Sequence, residues 1–399
     1  MIEDNRYDVL IVGARCAGAT TAMLLAGSGL RVLAIDRGAY GSDTLSTHAL
    51  MRGGVMLLQR WGIMPALLRR GTPPVRRTTF HYAEDAVAVD IRPDQDVSAL
   101  YAPRRTVLDA ALVEAAWEAG AEVRFGVSLL DLVRRDDGRV TGAVVQDASG
   151  QRTVVHADLV IGADGLSSAV ARMVEAPLLH AARHACAVVF AYLPGIAPDG
   201  YHWYFNRGVS AGVIPTNDGR HCVFAAMPPA RFRADVRGDL AGGFRRVLVE
   251  TSPALAEAVP KLEPDTALHV FAGRRGFIRQ SHGRGWALVG DAGYFKDPLT
   301  AHGITDALRD SALLAQAVVQ GTEAALREQH DLRMALSLPL FRVSDDIASF
   351  DWDLETVQRH HKALNAAMKQ EAAYLAAMPV WPDVAVSVQS NFMAKEKAA

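Results

Sequence analysis

The sequence predicts an α/β fold: a βαβ dinucleotide-binding unit interleaved along the chain with an antiparallel-sheet domain, followed by C-terminal helices. Three observations predict it. Residues 7–37 read as strand, Gly-rich turn, helix, strand and acidic tip. Apolar runs of the buried-strand kind, each running into Gly, recur near residues 123, 159 and 286. Alternating, aromatic-rich runs lie between them, near residue 80 and over 185–228.

The first unit is the most specific. Residues 9–12 are apolar and break at Gly13-Ala14-Arg15-Cys16-Ala17-Gly18; a helical pattern follows to about Ser28, and residues 32–35 form a second strand stopping at Asp36. Gly13 permits a sharp turn, and Gly18 lets the helix pack closely on the sheet. The helix start aims free N–H groups and a partial positive charge at a pyrophosphate. Asp36, with Arg37 beside it, stands where the fingerprint has a ribose-binding carboxylate. The middle glycine of the fingerprint is replaced by Arg15, whose side chain either adds charge at the phosphate site or lies outside it.

The remaining elements follow in order. Residues 41–46 are turn-rich, and 47–61 carry a helical pattern in which Gly53-Gly54 marks a break or a close approach. Residues 78–91 read as strand. Pro103-Arg104-Arg105-Thr106 opens a helix over 107–119, closed by Gly120. A strand at 123–127 precedes a β-meander over 129–146 and 152–155. Residues 159–165 are a separate buried strand running into Asp164-Gly165, and a helix starts at 167. Over 185–228 an antiparallel sheet is expected, with 78–91 as a partner and Asn217-Asp218-Gly219 as a hairpin turn. Residues 232–259 read as helical. Residues 285–292 form a buried strand ending in Gly290-Asp291; a loop with Pro298 and Gly303 leads to a helix from about Ile304. Residues 323–372 are helical, and the tail after Pro379 has little pattern. The interleaving assigns 1–75, 101–178 and 270–330 to a dinucleotide-binding domain, 76–100 and 179–269 to a substrate domain, and 331–399 to a C-terminal helical segment.

Composition narrows the function. The 399 residues are half hydrophobic, enough for a proper core. A net charge of −2 gives no long-range attraction to nucleic acid or anionic lipid. Cys16, Cys186 and Cys222 are too few and too dispersed for a disulfide framework or a zinc site, and no metal is expected. No signal-peptide pattern and no run of ~20 apolar residues is seen, so a soluble, cytoplasmic protein is expected.

Three separated motifs agree: GARCAG with Asp36, Ile161-Gly-Ala-Asp164-Gly165, and Gly290-Asp291-Ala292 with Pro298 and Gly303. As a set they resemble the class A flavoprotein monooxygenases, the p-hydroxybenzoate hydroxylase-like family, over roughly residues 5–330. The resemblance implies FAD, with NADPH or NADH as transient donor. It places the pyrophosphate at Gly13, Arg15, Ala17 and Gly18, the adenosine ribose at Asp36, and Arg105 on the phosphates or ribityl chain, with Arg104 as fallback. It puts adenine against the backbone of Val127, Asp164 in the Asp-Gly motif, and the ribityl hydroxyls on Asp291. The flavin pyrimidine edge faces Pro298, Ala301, Gly303 and Ile304, where a helix start stabilises negative charge on reduced flavin. The segment Tyr294-Phe295-Lys296 departs from the family pattern. His48 falls where the family has a loop near the isoalloxazine; it either touches flavin or substrate or is an ordinary loop histidine.

In that family NAD(P)H reduces FAD, O2 adds to the flavin, and one oxygen atom passes to the substrate. Catalytic side chains are therefore not specified beyond His48. The aromatic sheet is the expected substrate wall, with Tyr192, Trp203, Tyr204 and Phe224 as candidates for a small aromatic or hydrophobic substrate. Trp203 and Tyr204 are adjacent, so only one can face the pocket. A flavin reductase of the geranylgeranyl-reductase type, which saturates a C=C bond, shares these motifs. A flavin halogenase is disfavoured, because the W-x-W-x-I-P spacing is missing and no Lys precedes residue 261. A non-catalytic flavin-bound sensor is a further alternative. With no second Gly-rich βαβ unit, NAD(P)H binds transiently or a separate flavin reductase supplies electrons.

Overall fold

The computed structural model describes residues 5–94, 97–197 and 199–379. The predicted tail lies outside the described residues. The helices that matter below are α1 (Cys16–Gly27), α2 (Arg52–Arg60), α3 (Arg105–Glu118), α4 (Leu240–Thr251), α5 (Gly303–Gln320), α6 (Glu323–Ile347) and α7 (Leu354–Ala377).

The five expected buried strands lie side by side in one sheet, in the order Trp286–Leu288, Arg152–Gly162, Arg6–Val12, Val32–Asp36, Glu122–Phe125, all parallel. Apart from the half-buried edge strand Glu122–Phe125, their apolar character on both faces follows from helices packing on one side and a β-meander on the other. The sequence predicts separate strands at 152–155 and 159–165. The structure joins them into one strand, Arg152–Gly162, which begins antiparallel to Val140–Gln146 and ends parallel to Arg6–Val12.

A second, seven-stranded sheet runs His269–Phe271, Ala187–Pro194, Arg220–Met227, Val209–Pro215, Tyr201–Asn206, Arg77–Tyr82, Asp85–Asp90. Residues 78–91 are thus a hairpin rather than one strand. Arg77–Tyr82 joins Tyr201–Asn206 in parallel, the one departure from the antiparallel expectation in this sheet. The Asn217-Asp218-Gly219 turn is tight, with Asp218 and Gly219 both near φ +62° and +63°, as a type I′ hairpin requires.

Strand alternation gives this sheet two unlike faces. Val188, Phe190, Tyr192, Trp203, Phe205 and Phe224 point inward to a cluster shared with α6, α7, Leu299 and Ala301. Val189, Ala191, Val223 and Ala225 point outward to α4 and the short helix Pro253–Ala258.

Three helix expectations are corrected. Residues 47–51 are not helical; the helix begins only at Arg52, because His48 takes φ +67° and Leu50 bridges to Tyr101. Gly53-Gly54 does not break the helix; a Cβ on Gly54 would sit 2.7 Å from Thr305 Oγ1, so the pair lets α2 approach α5. Residues 232–259 split at Gly238 and Ser252. Residues 323–372 split into α6 and α7 at a turn where Phe350 takes φ +54°. No helix among the described residues is long and apolar enough to cross a membrane.

Candidate functional site

The Gly-rich turn is dictated by its neighbours. Gly13 has φ +103°, and a Cβ there would meet Ala163 O at 2.4 Å; a Cβ on Gly18 would meet Gly13 O at 1.7 Å. No side chain caps α1, so its first N–H groups are left for a ligand. Arg15 turns aside: its guanidinium donates to Ser42 O (3.2 Å) and Ser42 Oγ (3.1 Å) and lies 3.6 Å from Asp109. It closes a small cleft with Asp36, Tyr40 and Phe125. Asp36 accepts from the N–H of Ala14 (2.9 Å) and of Gly38 (2.7 Å), which fixes both the turn and the strand end. Val127 N donates to Asp36 O at 3.0 Å, placing the expected adenine contact beside the expected ribose carboxylate. Arg37 is exposed.

The distant motifs converge on the same turn. A Cβ on Gly290 (φ +58°) would sit 2.9 Å from Ala17 Cβ, and Ser311 Oγ of α5 donates to Ala17 O at 3.0 Å. Arg105 is half-buried and makes a paired bond to Asp109, 2.9 Å on each arm, within electrostatic reach of Cys16 and Asp291. Arg104 goes elsewhere: it pairs with Asp43 at 2.5 Å and lies over the Tyr192 ring at 3.7 Å. Burial pushes the Asp291 carboxyl up to about 6, against the pull of Arg105 and Lys296. Asp164 has a local structural duty: it accepts from Ser168 Oγ (2.5 Å) and Ala169 N (2.6 Å), capping the short helix Ala169–Met173.

The loop before α5 is held from below. Asp297 accepts from Leu299 N (3.0 Å) and Cys186 N (2.7 Å), Pro298–Thr300 makes a tight turn, and Ala301 takes φ +50°. No side chain caps α5, and a Cβ on Gly303 would meet nothing within 4 Å, so this helix start faces open space. Ile304 is buried behind it.

Beneath that loop lies an ionic cluster the sequence reading missed. Lys296 pairs with Asp306; Arg309 bonds Asp306 (2.9 Å), Asp310 (2.7 Å), Glu371 (2.5 Å) and Ser337 Oγ (2.9 Å); His302 Nε2 bonds Glu371 at 2.5 Å. Burial, with Arg309 beside it, pulls Lys296 down to about 7. The spacing Asp306, Arg309, Asp310 on an otherwise apolar helix was a signal. Glu371, 62 residues beyond Arg309, gave none. His302, Asp306 and Glu371 are close enough to suggest a metal trio. Their four carboxylate oxygens are already on Lys296, Arg309 and His302, so the cluster supplies its own cations. His180 and His184 stand four apart as some metal ligands do, but His180 is on a strand, and His184 contacts Asp345.

The expected substrate wall is partly assembled. Tyr192 OH bonds Ser46 O at 3.1 Å and His48 Nε2, and the two rings stack. His48 is fully buried and its Nδ1 has no partner among the described residues. Burial and the guanidiniums of Arg105 and Arg104 pull it down to about 3. Phe224 packs against Trp203 at 5.9 Å on the same face. Tyr204 is corrected: it lies on the outer face, stacked on His81 at 4.1 Å. Alternation sends it opposite Trp203.

A family model described as an FAD binding domain matches residues 6–331. Among curated proteins, the digeranylgeranylglycerophospholipid reductase of Methanosarcina mazei is 28% identical over 335 residues, 80% of this chain and 77% of that protein. The menaquinone reductase of Mycolicibacterium smegmatis is 26% identical over 343 residues, 80% and 78% of the two chains. Among solved structures, the flavin-dependent brominase Bmp2 superposes with a TM-score of 0.77 at 17% identity, covering 98% of this chain and 100% of that one. PqsL of P. aeruginosa, solved with 2-aminobenzoylacetate, gives a TM-score of 0.68 at 20% identity, covering 91% and 100%. At these identities the two structures speak for the fold.

Proposed function

The chain belongs to the FAD-binding-domain family that its residues 6–331 match, and from that premise we propose that this flavin oxidoreductase is a monooxygenase acting on a small aromatic or hydrophobic compound. The residues fit FAD. Two uncapped helix starts, the open surface at Gly303, and a half-buried carboxyl within electrostatic reach of a half-buried guanidinium suit a phosphate-and-ring ligand. Residues 13–18 with Arg105 would hold the pyrophosphate, Asp36 the ribose, Asp291 the ribityl chain, and residues 298–304 the pyrimidine edge. Bound FAD supplies the redox chemistry, taking electrons from NADPH or NADH and delivering them to O2.

The observation that carries the reading is the shape of the inner sheet face. Phe190, Tyr192, Trp203 and Phe224 share one apolar cluster with Leu299 and Ala301 of the cofactor loop. The far end of that face is filled by the chain itself: His361 packs on Phe205 at 4.3 Å and bonds Tyr82 OH at 2.8 Å, and Trp352 packs on Phe205 at 6.4 Å. The part of that face beside the cofactor loop is apolar, which suits an apolar ring and the exclusion of water. His48 is its polar tip. It is neutral across the physiological range, and with Nε2 on Tyr192 its Nδ1 is left to hold one polar group of a substrate.

A second reading is favoured by the relatives, which reduce isoprenoid lipids or a quinone: saturation of a C=C bond by FAD. The filled far end of the sheet weighs against a long prenyl chain. Purified holoprotein with NADPH or NADH and a panel of small aromatics decides between the readings. Substrate-stimulated O2 uptake with one oxygen atom gained by the product supports the first. Anaerobic saturation of an alkene without O2 uptake supports the second.

A further inference from the structure

We propose that His302, clamped by Glu371 of the C-terminal helix, is a positioning residue for the isoalloxazine and takes up a proton from water when bound FAD is reduced. Glu371 lies beyond the segment that matches the family model, so the pair is a property of this chain's own C-terminal helix. The inference rests on FAD binding and holds for either reading of the substrate.

Three observations converge. His302 immediately precedes the uncapped start of α5, where Gly303 faces open space. Its side chain is 99% buried, with Nε2 on Glu371 Oε2 at 2.5 Å. Its Nδ1 is buried with no partner among the described residues. An ionised carboxylate only accepts, so Glu371 fixes the proton on Nε2 and leaves Nδ1 a bare acceptor. The pyrimidine edge of flavin carries a ring N–H between two carbonyls, a complement to a bare Nδ1 through the N–H and to a protonated Nδ1 through a carbonyl.

The groups facing His302 are Glu371 from α7, Asp306 and Arg309 from α5, and Lys296 from the preceding segment. With Asp310 also on Arg309 the cluster sets three carboxylates against two cations, and burial outweighs that pull, keeping the imidazole neutral with its pKa below the ordinary value. Two-electron reduction breaks that balance. One proton enters the ring with the two electrons, and the ring gains one negative charge. The second proton, from solvent, goes to His302 Nδ1, which then donates to a pyrimidine carbonyl oxygen that shares the ring's negative charge, while Glu371 neutralises the imidazolium.

The test is the pH dependence of the flavin midpoint potential in wild type, His302→Asn and Glu371→Gln, titrated with dithionite between pH 6.5 and 8.5. FAD content and affinity are measured first on each apoprotein. Two protons per two electrons give a slope of about 59 mV per pH unit in wild type; one proton gives about 30 mV in H302N, since tenfold in a two-electron equilibrium is 29.6 mV. E371Q, which keeps an acceptor but removes the charge, should cross to the lower slope at a lower pH than wild type. If H302N does not fold, H302Q and E371Q carry the same comparison. Equal slopes in variants that still bind FAD overturn the inference, even if their melting temperatures fall. Wild-type protein that takes up no FAD would instead overturn the cofactor assignment.

Discussion

Tyr192 and His48 show how one residue's environment is set by another's. Each ring removes the other's polar atom from an apolar wall, and Ser46 O takes the remaining Tyr192 contact. Tyr192→Phe leaves both imidazole nitrogens buried without partners. A buried polar atom left unpaired costs about 1–3 kcal/mol, so the unfolding free energy from a urea titration should fall by that amount. The double variant H48N/Y192F should cost less than the sum of the single changes. Additive losses would mean the bond contributes nothing. Residues of this kind were half legible in the sequence. Tyr192 and His48 could each be named, because one sits on an aromatic strand and the other in a flavin-side loop. That they touch could not be read, since 144 positions separate them. Arg15 left two readings open because side-chain direction is a tertiary property, and the structure sends it to Ser42. Tyr204 was misplaced because alternation fixes opposition but not which residue faces in.

At the scale of elements, the strands and helices with a strong period were legible and their joins were not. The five parallel strands could be placed from apolar runs ending in glycine. The single strand Arg152–Gly162 looked like two, because its first half faces solvent on one side and its second half is buried on both. The long C-terminal helix pattern hid a turn at Phe350, which no glycine or proline announces. Helix α7 then does more than cover the sheet. His361 bonds Tyr82 OH, and burial pulls its pKa to about 4 from 6.5. A depressed histidine stabilises the fold fully above pH 6.5 and loses that contribution as pH falls toward 4, because the unfolded chain binds the proton first. Thermal melts of the apoprotein should therefore drop through this window. His361→Gln, which cannot titrate, should flatten the drop while lowering stability at pH 7.5. A variant whose melting temperature falls as steeply as wild type between pH 6.5 and 4 would show that α7 is not released by this histidine.

For the whole molecule, the proposed cofactor assignment has one ligand holding many separate pieces of chain. Residues 13–18, Arg105, Asp291 and residues 298–304 come from four stretches, and Leu299 and Ala301 belong to the apolar cluster of the other sheet. α5 is tied to α7 through Glu371. FAD that binds only the folded state should stabilise it by RT ln(1 + [L]/Kd), about 2.7 kcal/mol at a hundredfold excess over Kd. The gain should not spread evenly. The outer face of the seven-stranded sheet packs on α4 and Pro253–Ala258, which share no cluster with the cofactor loop. Hydrogen exchange of apo and FAD-loaded protein should thus differ most at residues 298–304, in α7 and in the inner-face strand Ala187–Pro194, and least in α4. Protection confined to residues 13–36 would mean that the site closes locally, and that the two sheets are coupled by packing alone rather than through the ligand between them.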